Sequence, residues 1–190
     1  MKGHHKTVAT PEDPASANIN EYLHSFVWRS FTGSYKSVWN YETIRLRNKV
    51  STGKEMLSGL FGMSPEFSIN NRMISYNIAH TLYIAGVAYF FGMRGFIFVM
   101  SYAIIVAFFQ EAINYVEHYG LKRTRDKNGI YEPVNINHSW NAPHRYSNYI
   151  LFKLQRHSDH HANAYKPYQV LNTYEDSPTL LVGYSVALVT

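Results

Sequence analysis

The chain has no cysteine in its 190 residues. That excludes a disulfide framework, a thiolate zinc site and a cysteine-ligated iron–sulfur cluster, so any metal must sit on nitrogen and oxygen. Acidic side chains are the scarcer sign, 13 against 18 basic ones, which leaves a formal charge of +5. A basic excess suits nucleic acid, an anionic membrane surface or an acidic partner, and alone it does not choose. The basic residues lack a regular phosphate-tracking stripe and the aromatics sit mainly in apolar runs, which argues against nucleic acid. There is no internal repeat and no low-complexity tract.

Long apolar runs are what the middle of the chain does have. ISYNIAHTLYIAGVAYFFG (74–92) and FIFVMSYAIIVAFFQEAI (96–113) carry almost no charge and are separated by Met93-Arg94-Gly95. A membrane-spanning helix needs roughly 20 mostly apolar residues, with about 17 at the low end. The pair therefore predicts a helical transmembrane hairpin, the alternative being a buried hairpin in which Asn77, His80 and Glu111 are accommodated. Arg45, Arg47, Lys49, Lys54 and Arg72 precede the pair and Lys122, Arg123, Arg125 and Lys127 follow it, against Arg94 alone in the turn. The positive-inside rule puts both flanks in the cytoplasm.

Around these runs the pattern changes. Residues 19–49 repeat apolar and aromatic side chains at helical spacing with Arg29, Lys36 and Arg45 among them, which predicts a basic helix pair at a membrane surface or, equally, ordinary surface helices. Residues 51–70, with Gly53, Gly59, Gly62 and Pro65, read as a connection. Asp126-Lys127-Asn128-Gly129 is a turn signal that two aromatic-bearing strands could flank. A helix is expected from Tyr146 to His161, after Pro143. The final SPTLLVGYSVALVT looks like the start of another membrane-contacting helix.

Ten histidines are present, and six of them form three groups. His157, His160 and His161 stand at i, i+3 and i+4, which on a helix directs three imidazoles to one face. Neutral imidazole suits iron, zinc and copper, and histidines this crowded repel one another on protonation unless a metal lies between them. Asp159 and Arg156 flank the triplet as candidates to orient the ligating rings. His4 and His5 make a second group. His118, beside Glu117 where the second apolar run emerges, is the third. Imidazoles from three separate segments exceed what one tetrahedral zinc uses and indicate a polynuclear site at a membrane surface. His24, His80, His138 and His144 read as structural or supporting, with His138 in NHSWN the strongest of them. Tyr83, Tyr89, Phe90, Phe91, Phe98, Tyr102, Phe108 and Phe109 are candidates to line an oily route to such a site.

The strings GHHKTVATPEDPASA (3–17), NYVEHYGL (114–121), NHSWN (137–141) and LQRHSDHHANAYKPYQ (154–169) resemble the membrane-bound alkane 1-monooxygenases, relatives of the membrane fatty acid desaturases and of the xylene methyl-group monooxygenase. The resemblance runs through most of the chain. It implies an all-α membrane protein, part of a six-helix desaturase-like fold with cytoplasmic histidine-rich helices, in a bacterial inner membrane. It implies a di-iron centre ligated by His4, His5, His118, His157, His160 and His161. The implied reaction is hydroxylation of the terminal methyl of medium- or long-chain alkanes, with dioxygen and electrons from rubredoxin and rubredoxin reductase. A xylene-type methyl-group monooxygenase, a fatty acyl desaturase or hydroxylase, and an inactive remnant are the alternatives. The first histidine box of the resemblance, H-E-x-x-H-K, is absent, as are the opening Glu-His of the second box and the upstream spanning helices. Residues 1–190 are therefore expected to be the carboxy-terminal part of one domain, in which Met1-Lys2 stand inside a motif and which is inactive by itself.

Overall fold

The computed structural model describes residues 3–51 and 65–188. Gly53, Gly59 and Gly62 of the expected connection, Lys54 of the charge count, Met1-Lys2 and the terminal Thr190 lie outside the described residues. Among the described residues six α-helices follow in order: α1 (His4–Thr7), α2 (Leu23–Ser51), α3 (Arg72–His118), α4 (Arg145–Ile150), α5 (His157–Ala162) and α6 (Tyr184–Ala187), with short 3-10 turns at Pro65–Phe67 and Tyr168–Val170. No strand occurs among the described residues. The expected turn is present, with the Asp126 side chain accepting from Asn128 N and Ile130 N. Its flanks make only an isolated bridge between Arg125 and Tyr131. Arg123 and Arg125 lie over the Tyr131 ring instead of extending a ladder.

Three helix expectations change in detail. The predicted pair over 19–49 is a single helix, Leu23–Ser51, and Gly33 within it lies so close to Pro14 that a Cβ there would come within 2.5 Å of the Pro14 Cβ. The predicted helix over 146–161 is two short helices. Phe152 and Lys153 adopt left-handed φ of 51° and 61°, which ends α4 and re-aims the chain so that Gln155 O receives Ala142 N and Arg156 reaches Leu171 O. Tertiary hydrogen bonds override local propensity there. The tail forms only the four residues of α6 before the end of the described chain.

α3 contains both apolar runs and is long and apolar enough to cross a membrane. Its backbone leaves helical geometry at Gly92, with φ 64° and ψ −162°, one residue before the expected turn. That conformation is essentially open to glycine alone. A Cβ on Gly95 would come within 3.2 Å of the Val87 side chain, although eight residues of straight helix span about 12 Å. The chain therefore bends sharply at Gly92.

The chain divides into two compact units, Ser34–Ala107 and Met1–Gly33 with Phe108–Thr190. In the first, Glu42 is buried and holds Arg45 at 2.6 Å while accepting from Arg72 N at 3.2 Å, and Asn77 donates to the Tyr35 hydroxyl. The second carries every histidine of the three groups. There Phe26 is fully buried and packs edge-on to Tyr115. Val116, Ala142 and Tyr184 form a small core joined by Ile113 and Leu151.

Gly92→Ala is expected to destabilise the protein by about 1–3 kcal/mol, because the added Cβ meets open space and the cost is purely conformational. A lower thermal midpoint in detergent would register it. An unchanged midpoint would show that the kink is not held at Gly92.

Candidate metal centre

Each histidine group is positioned by a segment stitched to the next. α1 is one turn, too short to be stable alone, and the segment after it is fixed from outside. Gly120 N donates to Ala17 O, Arg123 N to Ala9 O and Arg123 Nη1 to Lys6 O, at 2.8–2.9 Å. Arg29 adds bonds to Pro14 O, Ser16 O and the Glu21 carboxylate. This lays the 3–22 segment along the end of α3, where His118 is the last helical residue. Trp140 N then caps Glu117 O at 2.8 Å. Asn141 ties this region to α5, donating to Ser158 Oγ and Ser177 Oγ and accepting from Ser158 N, with all these groups buried.

The result is convergence. His4, His118, His157 and His161 each present one ring nitrogen within 4.8 Å of the others, a group that can hold a metal ion. Their Nε2 atoms approach in a chain, His4 to His118 at 3.1 Å, His118 to His157 at 3.2 Å and His157 to His161 at 3.0 Å. His5 and His160 stand outside this foursome but next to it. The His5 ring lies 4.8 Å from His160 and 4.6 Å from His161, centre to centre. All six candidate rings are thus brought into one cluster, with His161 common to both halves.

The opposite ring edges are anchored. His4 Nδ1 donates to Asp13 Oδ2 at 2.8 Å, His157 Nδ1 to Leu154 O at 3.3 Å, and His118 Nδ1 faces His138 O and Ser139 Oγ, each at 3.4 Å. With the proton assigned to Nδ1 by these acceptors, each Nε2 carries a bare lone pair aimed inward. Neutral nitrogens crowded to about 3 Å without protons between them are repulsive unless a cation lies among them. Two ligands on one metal at 2.0–2.1 Å sit roughly 3.0–3.4 Å apart, the spacing found here.

Electrostatics agree. Burial, and then the neighbouring imidazoles, push His157 and His161 well below the ordinary histidine range. Burial and His160 bring His5 down to about 4, and burial with His4 lowers His160. Burial alone would raise the Asp13 carboxyl, but the hydrogen bonds from His4 and Ser16 outweigh it and hold it below its usual value. These four rings are therefore neutral at pH 7, the state in which imidazole ligates.

Two supporting roles differ from expectation. Asp159 does not touch an imidazole. Its buried carboxylate accepts from Lys166, Tyr174, Asn163 and Asn172 N, fastening α5 to the loop behind it, while Arg156 serves Leu171 O. The orienting carboxylate is Asp13, nine residues beyond the histidine it holds, in a turn that also binds Ser16. His138 contributes through its carbonyl; its ring accepts from Asn135 N and faces Glu132. Of the eight aromatics proposed for an oily route, Phe108 and Phe109 line an apolar pocket of about 480 Å³, together with Ala112, Ile113, Leu151 and Tyr184. Tyr89, Phe90, Phe91 and Phe98 are largely exposed.

Known proteins share this chain's sequence along nearly its whole length. The family model described as fatty acid desaturase matches residues 2–176. The chain is 39% identical over 185 residues to alkane 1-monooxygenase 1 of Pseudomonas aeruginosa, covering 97% of this chain and 45% of that protein. It is 40% identical over 190 residues to the alkane 1-monooxygenase of Acinetobacter baylyi, covering 98% and 42%. The xylene/toluene monooxygenase hydroxylase component of Pseudomonas putida is 26% identical over 179 residues, covering 93% and 43%. The chain spans less than half the length of these relatives.

Two outcomes are expected. Asp13→Asn should weaken Fe(II) binding about 10–100-fold, as loss of a ring-orienting partner typically does; competition with a chelator measures it. The second concerns pH. An unfolded imidazole takes up its proton near pH 6.5, whereas His5 in the folded, metal-free chain does so only near 4 and His157, His160 and His161 shift the same way. The unfolded state then binds more protons in that window, so stability is full above pH 6.5 and falls as pH drops toward 4. Denaturation midpoints of metal-free protein that stay level down to pH 5 would contradict this.

Proposed function

The chain belongs to the fatty acid desaturase family, and from that membership we propose that it forms the metal-binding part of a di-iron monooxygenase that hydroxylates the terminal methyl of medium- or long-chain alkanes. The observation that carries this reading is the convergence of imidazole nitrogens at His4, His118, His157 and His161 in a chain whose relatives are named alkane 1-monooxygenases. His4, His118, His157 and His161 would hold one iron. His5 and His160, beside the shared His161, would contribute to a second. Iron bound there supplies reductive activation of dioxygen, strong enough to attack an unactivated C–H bond.

The chain's own residues do the rest. Asp13, the His138 carbonyl and the Leu154 carbonyl keep three rings with their lone pairs inward, so that the ligand set costs no reorganisation when metal enters. The apolar pocket beside Ala112 and Ile113 begins five to six residues before His118 on α3, about 8 Å along the helix axis. It suits an alkyl chain held near the centre, and its mainly apolar lining, which carries no charged side chain, favours hydrocarbon over a carboxylate-bearing acid. The sharp bend at Gly92 supports a hairpin within the bilayer, and the basic flanks support a cytoplasmic location for the histidines. Reducing equivalents would come from rubredoxin and its reductase. The 190-residue chain alone is proposed to bind iron without turning over.

The similarity to the xylene/toluene monooxygenase component favours a second reading, oxidation of an aromatic methyl group. A chimera tests both, with these residues replacing the aligned segment of the Pseudomonas aeruginosa relative and octane, p-xylene and palmitate offered with a rubredoxin donor system. Octan-1-ol as the main product is the expected result. An iron-loaded chimera that oxidises only p-xylene or palmitate would replace the alkane reading.

A further inference from the structure

The part of α2 from Ser34 onward is tied to the opening turns of α3 at two levels. The buried Glu42 carboxylate accepts from Arg72 N at 3.2 Å and from Arg45, whose guanidinium also donates to Asn70 O at 2.9 Å. Two turns back along α2, the Tyr35 hydroxyl accepts from Asn77 Nδ2 at 2.7 Å, five residues further along α3. The two helices are therefore laid side by side in opposite directions where the apolar run 74–92 begins. That run is long enough to enter a bilayer.

What this junction leaves uncovered is aromatic and basic. Trp39 lies between the Tyr35 and Phe67 rings, with centroids 6.4 and 6.3 Å away. Tyr35, Val38, Phe67, Ile69 and Tyr76 are each 44–64% exposed. Water does not reward such exposure, whereas tyrosine and tryptophan, each with an apolar body and a polar tip, collect where hydrocarbon meets headgroups. The charge around them is one-sided. Residues 34–51 and 65–77 hold five basic side chains and two acidic ones. Glu66 is paired with Arg47 at 2.7 Å, and Glu42 is shared between Arg45 at 2.6 Å and Arg72, whose Nε stands 4.0 Å off and whose side chain is 61% exposed. Lys36 is exposed and has no ion pair among the described residues.

From this geometry we infer that the second half of α2 is a lipid-binding surface: the Tyr35, Trp39 and Phe67 rings lie in the headgroup layer of the bilayer that α3 crosses, and Lys36 and Arg72 bind an anionic phospholipid there. The inference rests on α3 spanning a membrane, and not on the metal centre or the alkane. Continuity selects lipid over a soluble partner, because Asn77 belongs to the apolar run and holds the Tyr35 hydroxyl, so that lipid around α3 is also lipid around this ring cluster. Charge selects the lipid class. A zwitterionic headgroup brings its own cation beside the phosphate, whereas an anionic one supplies the negative charge that Glu42 and Glu66 leave unmatched. Of the two readings that the sequence pattern allows, membrane-surface helix and ordinary surface helix, the first applies to residues 34–51.

The test places the full 190-residue chain in nanodiscs of equal phosphatidylcholine and phosphatidylglycerol, with bromine on the acyl chains of one lipid or the other, and reads tryptophan quenching. Comparison with Trp39→Phe isolates the Trp39 signal. Trp39 is expected to be quenched by either brominated lipid, and about 2–5-fold more efficiently when phosphatidylglycerol carries the bromine, since basic residues enrich anionic lipid beside them. Lys36→Gln combined with Arg72→Gln equalises the two lipids while Trp39 stays quenched, and it leaves the backbone bond from residue 72 to Glu42 in place. In the unsubstituted chain, about 0.5 M salt narrows the same difference by screening. Equal quenching by the two lipids in the wild-type chain at low salt would overturn the anionic site. Quenching that Trp39→Phe leaves unchanged would overturn the surface as a whole. A chain that alkaline carbonate strips from vesicles removes the spanning role of α3, and the inference with it.

Discussion

Lone pairs directed at a common point govern this structure. Imidazoles at the amino terminus, at the end of α3 and on α5 meet with their Nε2 atoms about 3 Å apart. With their protons held on Nδ1, the contacts among His4, His118 and His157 are repulsive in the absence of a cation. The fold holds them there through acceptors behind the rings: a carboxylate for His4 and main-chain carbonyls for His118 and His157. Much of the surrounding architecture serves that requirement. The Arg29 bonds, the 9–17 to 120–123 backbone pairing and the Asn141 hub all resist the repulsion at the centre.

The division of labour between polar and apolar parts has the same origin. Buried polar groups cluster around the histidines, with Asp13, Glu117, Asn141, Gln155, Ser158 and Asp159 all at or below 2% exposure. The apolar runs of α3 remain outward-facing, as a hydrocarbon solvent requires and water does not reward. Toward the end of α3, Ala112 and Ile113 border the pocket and His118 enters the histidine cluster, so this stretch of helix leads from an apolar pocket to the imidazoles in about two turns.

The histidine triplet and the apolar runs are legible in the sequence because each rests on a local rule, the i, i+3, i+4 face and the length of an uncharged run. The break between the runs is also readable, to within one residue, from Gly92-Met93-Arg94-Gly95. The illegible part is long-range. Asp13 and Asp159 look equivalent as acids near histidines, and the more distant one orients a ring because the PEDPAS turn folds back on α1. The interruption at Phe152-Lys153 carries no breaker signal, being enforced by Gln155 and Arg156 bonds to remote carbonyls and amides. Asn141 and Glu117 are visible as letters in the motifs, but their work depends on partners 17 to 40 positions away.

The brevity of α1 has a consequence for biogenesis. Four residues cannot hold a helical shape by themselves, so the first two imidazoles acquire their orientation only once the 8–22 segment has docked on the stretch following α3. Until then the cluster is open on one side, and an incoming ion meets an incomplete cage. The order of folding is thereby set: docking of the 8–22 segment comes before closure of the imidazole cluster.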